Sequence, residues 1–207
     1  PIAHFKTAFS LLKTVYFNEV PDYNKLIAEI VDYSQKARKE GVIILEKEAK
    51  NASDPLLALG LEAVADGADP SLVKEMMENQ LARLEEKVQT GAKVYESAGG
   101  YAPTLGIIGA VMGLIQVMQN LSDPSKLGAG IAVAFVATIY GLFLANLITI
   151  PYSTRIKQKY QKIFVAKEII ISGVLSIQAG ESPALIERKL ETYLTDNKKK
   201  ADKKEAA

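Results

Sequence analysis

From Ser97 to Ser122 the chain runs for 26 residues without an Asp, Glu, Lys, Arg or His, and from Leu127 to Thr154 it does so again for 28. About 20 apolar residues, rising ~1.5 Å each, cross a ~30 Å hydrocarbon core as a helix. Both runs are long enough. The competing reading, a pair of core helices in a soluble protein, is disfavoured by length, since soluble core helices seldom exceed about 20 residues without a charge. Outside the runs charge is dense: residues 1–96 carry 12 Lys/Arg against 16 Asp/Glu, and residues 155–207 carry 12 against 7.

The link between the runs, Ser122-Asp123-Pro124-Ser125-Lys126, is short, so the two spans form an antiparallel hairpin and both long flanks lie on one side. Arg155, Lys157, Lys159 and Lys162 follow the second span directly. Lys/Arg excess beside a span end marks the cytoplasmic face, which puts the flanks in the cytoplasm and the turn outside. The sequence opens on Pro1 without an initiator Met or an h-region, which points to residues upstream of this chain.

The flanks read as helices. Asp22 can cap a helix whose Leu26, Ile27, Ile30 and Val31 share a face and which stops near Gly41. Asp54-Pro55 and Asp69-Pro70 each pair an N-cap with a proline at the first helical position. The helix from Pro70 is expected to continue toward the first span. Ser182-Pro183 starts another, with Leu185, Ile186, Leu190 and Leu194 on one face. The expected organisation is all-α and polytopic: a cytoplasmic helical domain at 1–96, with residues 1–20 along the membrane interface (Phe5, Phe9, Leu12, Val15 and Tyr16 apolar, Lys6 and Lys13 polar); spans at 97–122 and 127–154; an external turn at 123–126; cytoplasmic helices at 155–195; and a disordered basic tail at 196–207.

Several function classes are excluded or unsupported. A net charge of +1 does not suit a general nucleic-acid binder. The absence of Cys removes disulfides, thiolate metal sites and Cys nucleophiles, and the one histidine, His4, cannot build a zinc site or a Ser/His triad away from the N-terminus. No P-loop or Rossmann fingerprint appears. Glu85-Glu86 and Glu46/Glu48 read as solvated helix faces. No catalytic residue, metal or cofactor is expected.

Within the spans, Gly106, Gly109, Ala110 and Gly113 on one side and Ala137, Gly141 and Ala145 on the other allow close helix approach, and these faces are expected to serve association with further helices. Pro103 and Pro151 sit near the cytoplasmic span ends, where each removes a backbone N–H and can hinge its helix. Polar residues remain, Thr104, Gln116, Thr138 and Asn146 among them, but none titrates near neutrality. A membrane proton relay uses Asp, Glu or His, so a partner must supply the ionisable group for any ion flow.

The stretches Ala102–Leu114 and Ala134–Pro151 resemble the third and fourth transmembrane helices of the MotA family of flagellar stator proteins. The segment Arg38-Lys39-Glu40-Gly41-Val42-Ile43-Ile44-Leu45-Glu46 resembles that family's cytoplasmic Arg-x-x-Gly-x-x-x-Leu-Glu segment. The resemblance covers nearly the whole chain except the tail, and Pro1 falls where the family has just left its second span. It implies a multi-pass protein of the bacterial inner membrane, a homo-oligomer (a pentamer in the family) around a peptidoglycan-anchored MotB-type subunit that carries the ion-binding Asp, driving the rotor protein FliG. It assigns Arg38 and Glu46 to rotor binding, and Pro103, Ala110, Thr138 and Pro151 to the ion pathway and its coupling. Sodium-driven relatives tend to carry Thr where Ala110 stands, and Ala offers no oxygen to a hard cation. H+ is therefore the expected ion, with Na+ the alternative because Ala145-Asn146-Leu147 is similar to sodium-driven members. The alternative function is a TolQ/ExbB-type proton-channel energiser of envelope transport, which shares the hairpin; the large cytoplasmic domain ahead of the hairpin and the Arg38–Glu46 segment stand against it. A membrane-anchored helical scaffold without ion coupling is a third reading.

Overall fold

Aspartates start three of the helices. Asp22 accepts from the backbone N–H of Asn24 (3.0 Å) and Lys25 (3.4 Å), Asp54 from that of Leu56 (2.8 Å), and Asp69 from that of Ser71 (2.8 Å). Each bond satisfies a donor that the first helical turn cannot. At Asp69 the Ser71 hydroxyl and N–H also hold the carboxyl below the usual aspartate range. The computed structural model that gives the fold describes residues 2–17, 20–119 and 124–205, with backbone alone at 124–126 and 195–205. The elements are α1 (Ile2–Phe17), α2 (Tyr23–Glu40), α3 (Ile44–Ala49), α4 (Pro55–Ala65), α5 (Pro70–Gln119), α6 (Pro124–Phe143), a π-helical turn (Leu144–Thr149), α7 (Ile150–Gln178) and α8 (Pro183–Glu205). Among the described residues every regular element is helical.

The chain divides into two compact units. One combines Glu19–Glu85 with Tyr160–Ala207. Its core holds Ile30 from α2, Leu45 from α3, Leu57 and Leu61 from α4, Met77 from α5, Ile170 from α7, and Ile186 and Leu190 from α8. Gly60 lets α4 come close to Met77 and Val174, since a Cβ there would stand 2.8 Å from the Met77 methyl. Gly67 (φ +72°) and Gly180 (φ +69°) end α4 and α7. After each, the next N–H turns back to the helix, Ala68 to the Ala63 carbonyl and Glu181 to that of Ser176 (both 3.1 Å).

The other unit combines Pro1–Asn18 with Glu86–Lys159. Its main feature is the antiparallel pair of α5 and α6. A Cβ on Gly106 would lie 2.9 Å from the Ala137 carbonyl oxygen, and one on Gly141 would lie 2.6 Å from that of Ala102. A Cβ on Gly109 would lie 3.1 Å from the Ala137 methyl, and one on Gly113 3.2 Å from that of Ala134. The small residues expected to receive further helices are thus used inside the hairpin. The outward faces carry Leu105, Ile108, Met112, Phe135, Ile139 and Leu147, all exposed. In each long apolar helix only 11% of the most apolar 18-residue window is buried. A soluble core helix would show the reverse, so the hairpin suits a lipid environment.

At the span ends, Tyr152 meets Tyr16 and Tyr95 edge-on, at ring separations of 6.4 and 5.8 Å. The Arg155 guanidinium stands 5.7 Å over the Tyr16 ring, and Lys157 pairs with Glu96 at 2.8 Å. Such an amphipathic collar is typical of a membrane–water boundary. Helix α1 buries Ala8 and Leu11, with Leu11 against Gly91, while Phe5 and Phe9 stay exposed. The inward stripe of α1 is therefore offset from the aromatic one that the sequence emphasised.

The external turn falls partly outside the described residues, and α6 begins at Pro124. The helix α8 runs to Glu205 across the segment expected to be a disordered tail. Lys, Glu and Ala are strong helix formers, so a helix there needs no apolar stripe. Met77 is fully buried and its neighbour Met76 is exposed.

Candidate functional site

Pro151 accounts for a change of helix type. Its ring removes one N–H and crowds the carbonyl four residues back. The chain responds with the π turn over Leu144–Thr149, where the Ile150 N–H reaches the Ala145 carbonyl five residues earlier. The Thr149 hydroxyl lies 3.2 Å from the carbonyl oxygens of both Leu144 and Ala145, and Asn146 Nδ2 donates to the Leu142 carbonyl at 3.0 Å. These side chains take up backbone acceptors next to the register change. Pro103, by contrast, lies inside α5 with no break in helix type. One turn before it, Gly99 packs on Ile150 and Thr149, immediately ahead of Pro151. The two proline-bearing turns thus stand at the same end of the hairpin.

Thr138 is half-buried in the seam, its Cα 3.3 Å from where a Gly106 Cβ would be. Its hydroxyl donates to the Ala134 carbonyl at a long 3.4 Å, a weak bond that leaves the oxygen free to accept. Ala110 is half-buried and presents a methyl. Neither span carries an Asp, Glu, Lys, Arg or His. The hairpin can offer hydroxyl and carbonyl oxygens to an ion but cannot hold a proton itself. Among the described residues no cluster of acids and histidine suits a metal ion.

Arg38 and Glu46 occupy a corner of the other unit. Arg38 is in the last turn of α2 and Glu46 in the first turn of α3, with the break at Gly41 (φ +86°) between them. Both are exposed, and neither side chain has an ion pair or hydrogen bond among the described residues. Their neighbour Lys36 differs. Its ammonium bridges Asp32 (2.8 Å) on α2 and Glu48 (2.7 Å) on α3, and these hydrogen bonds hold it above the ordinary lysine range. The Tyr33 hydroxyl donates to Glu29 (2.9 Å), and burial pushes its pKa up. Lys36 therefore ties the corner together, while Arg38 and Glu46 stay available. The sequence reading missed Lys36, although its spacing of four from Asp32 is a visible signal. It also missed the apolar tip between the two charges, Val42 and Ile43, which the Gly41 break leaves between helices.

Comparison with known proteins bears on what these two regions belong to. Residues 48–169 match the model of a family described as the MotA/TolQ/ExbB proton channel family. The chain is 32% identical over 193 residues to the Uncharacterized protein YtxD of Bacillus subtilis (strain 168), covering 93% of this chain and 71% of that protein. It is 37% identical over 170 residues to Motility protein A of Borreliella burgdorferi, covering 82% and 65%. It thus spans about two thirds of the length of these curated relatives. Its fold is similar to that of a chain in the flagellar MotAB stator complex from Bacillus subtilis, with a TM-score of 0.84 and 34% identity, over 97% of this chain and 80% of that one.

Proposed function

This chain belongs to the MotA/TolQ/ExbB proton channel family, a family of membrane proteins that are not enzymes, and we propose that within it the chain is a MotA-type stator subunit. In this reading it sits in the bacterial inner membrane as one of several copies around a MotB-type partner. The partner contributes the ion-binding carboxylate that both spans lack. Ion flow past the hairpin, by preference of H+, drives movement of the copies against the rotor protein FliG. Arg38 and Glu46 make the rotor contact. Pro103, Thr138 and Pro151 line or couple the ion path, and the Ala110 methyl withholds the extra oxygen that a sodium ion would favour.

The observation that carries this reading is the extent of the likeness. It covers 97% of the chain against the Bacillus subtilis stator structure, so it takes in the helical unit with the Arg38–Glu46 corner as well as the hairpin.

The test is swimming. A stator-deleted flagellated cell given the complete gene and its MotB-type partner is expected to swim with and without external sodium. Swimming in sodium alone overturns the H+ assignment and keeps the stator. No swimming, with both proteins in the membrane and a compatible rotor, moves the chain to the TolQ/ExbB-type reading. In the same cells Arg38→Glu is expected to cut swimming speed several-fold at an unchanged membrane level. Normal speed in that variant removes Arg38 from the rotor contact.

A further inference from the structure

Helix α1 turns its largest apolar side chains away from the protein. It buries Ala8 and Leu11 but leaves Phe5 67% and Phe9 76% exposed, and Ile2 and Tyr16 are exposed with them. Positions 2, 5, 9 and 16 follow the three- and four-residue steps of one helix face, so the four form a row beside the buried one. Lys6 and Lys13 run along the edge of that row. Both are exposed, and neither has an ion pair among the described residues. The helix contains no Asp or Glu.

The place of the row narrows what can cover it. Leu11 packs on Gly91, just ahead of the first uncharged run. Tyr16 meets Tyr152 at the end of the second, and the Lys159 ammonium donates to the Val15 carbonyl at 2.7 Å. These contacts fasten α1 to the span ends, at the water boundary of a hairpin whose outward faces suit lipid. Arg155, stacked on the Tyr16 ring, is exposed and has no carboxylate partner among the described residues. Residues 1–18, 86–96 and 152–159, which make up this boundary, hold 7 Lys/Arg against 2 Asp/Glu, and one of the two acids, Glu96, is taken by Lys157. Basic residues beside a span report topology and nothing more. Exposed phenylalanines set between them do not follow from topology. An occupant must be apolar where the rings point and negative at the edge, at the level of the membrane surface. A leaflet of anionic phospholipid is both: rings reach the acyl chains while ammonium groups on long stems meet phosphate.

We propose that α1 and the start of α7 bind anionic phospholipid at the Pro103–Pro151 end of the hairpin. Phe5 and Phe9 enter the acyl region, and Lys6, Lys13 and Arg155 engage the headgroup phosphates. Each basic residue near an anionic surface strengthens the attraction, which a zwitterionic lipid does not provide. The inference goes beyond the stator reading and holds equally for an energiser, since no rotor enters it. It ties the end of the hairpin that carries both proline turns to the lipid surface.

The experiment uses the complete protein with its MotB-type partner in nanodiscs, every other cysteine of the complex replaced. The chain has no Cys, so Phe9→Cys places a single fluorophore in the row. Phosphatidylcholine discs carry a trace of spin-labelled phosphatidylglycerol or of spin-labelled phosphatidylcholine, each of which quenches on contact. Quenching by the phosphatidylglycerol probe is expected to be several-fold stronger, and added salt to shrink the difference. Phe5→Cys repeats the measurement with Phe9 in place. Combining Lys6→Gln, Lys13→Gln and Arg155→Gln is expected to make the two probes equal while both still quench. Met112→Cys, exposed on the outward face of α5, is expected to be quenched without preference and reports that the hairpin is inserted. Quenching of Met112→Cys with none at the row puts water or another protein there and overturns the site. Equal quenching of the row by both probes before the Gln replacements leaves a helix in lipid without anionic preference, which also overturns it. A preference that survives the three replacements removes those cations as its source. If Met112→Cys is not quenched either, the hairpin itself is not in lipid and the proposal falls with it.

Discussion

Gly141→Leu is expected to leave the protein unable to close its hairpin. The first side-chain carbon would stand 2.6 Å from the Ala102 carbonyl oxygen and 3.1 Å from the Gly106 Cα. Both obstacles are backbone atoms, which cannot turn aside as a side-chain tip can. Overpacking a core that can still adjust costs about 1–3 kcal/mol, and here the helices must separate along the seam, so the cost lies above that range. The pairs Gly109–Ala137 and Gly113–Ala134 would lose contact with it. Gly141→Ala, with one carbon, is expected to show a smaller loss in the same direction. Gly100→Ala is the control: a Cβ there meets nothing within 4 Å, and alanine is the better helix former by about 0.5–1 kcal/mol. Thermal unfolding in detergent, with membrane level alongside, checks the series. The expected order of stability is Gly100→Ala at or above wild type, then Gly141→Ala, then Gly141→Leu, which should hardly accumulate. Wild-type melting of Gly141→Leu would show that the seam has room for a branched side chain.

The seam also marks how far the sequence could be read. The two spans were legible because charge is absent over 26 and 28 residues, a pattern that little besides a membrane-crossing helix produces. The caps were legible because Asp-Pro joins two independent start signals. Which helix a small-residue face meets was not legible, because Gly106 or Gly141 would look the same facing a neighbour within the chain or another subunit. Nor was the division into units. Residues 1–96 read as one domain, yet Glu19–Glu85 shares its core with Tyr160–Ala207 while Pro1–Asn18 goes with the hairpin. The apolar faces of α2 and α8 are each visible in sequence, but nothing local states that Ile30 and Leu190 converge on Gly173. The candidate site divides in the same way. Pro151 signals a disturbed helix, while the resulting π turn depends on how Thr149 and Asn146 bond to freed carbonyls. Arg38 and Glu46 were singled out through resemblance, and their local spacing would have assigned them to ordinary surface. Their lack of internal partners, beside the fully engaged Lys36, is a structural observation.

Asp54 was legible as a cap and illegible as an ion-pair partner, and its replacement is expected to be the most damaging single change at the surface of the helical unit. Its carboxylate caps α4 through the Leu56 N–H and also receives Lys167, whose ammonium lies 2.6 and 2.7 Å from the two oxygens. The two residues are 113 positions apart, on α7 and at the start of α4, so the pair joins distant parts of the chain. The Lys167 side chain is 15% exposed and that of Asp54 25%. Asp54→Ala therefore removes a cap, worth about 1 kcal/mol, and leaves a largely buried ammonium without its partner. Breaking a fully buried pair costs roughly 3–5 kcal/mol; partial exposure reduces that, and a total of about 3 kcal/mol is expected. Two further variants separate the contributions. Asp54→Asn keeps an oxygen for the Leu56 N–H and loses the charge, so it should recover the cap and little else. Lys167→Met keeps most of the aliphatic stem and leaves an aspartate that water can still reach, so it should cost least. Chemical denaturation of the complete protein in detergent, followed at the transition of the helical unit, should rank them Lys167→Met, Asp54→Asn, Asp54→Ala in rising order of damage. If Lys167→Met proves as destabilising as Asp54→Ala, the ion pair outweighs the cap. If Asp54→Asn matches wild type, the lysine contributes nothing measurable and the cap is the whole of Asp54's role.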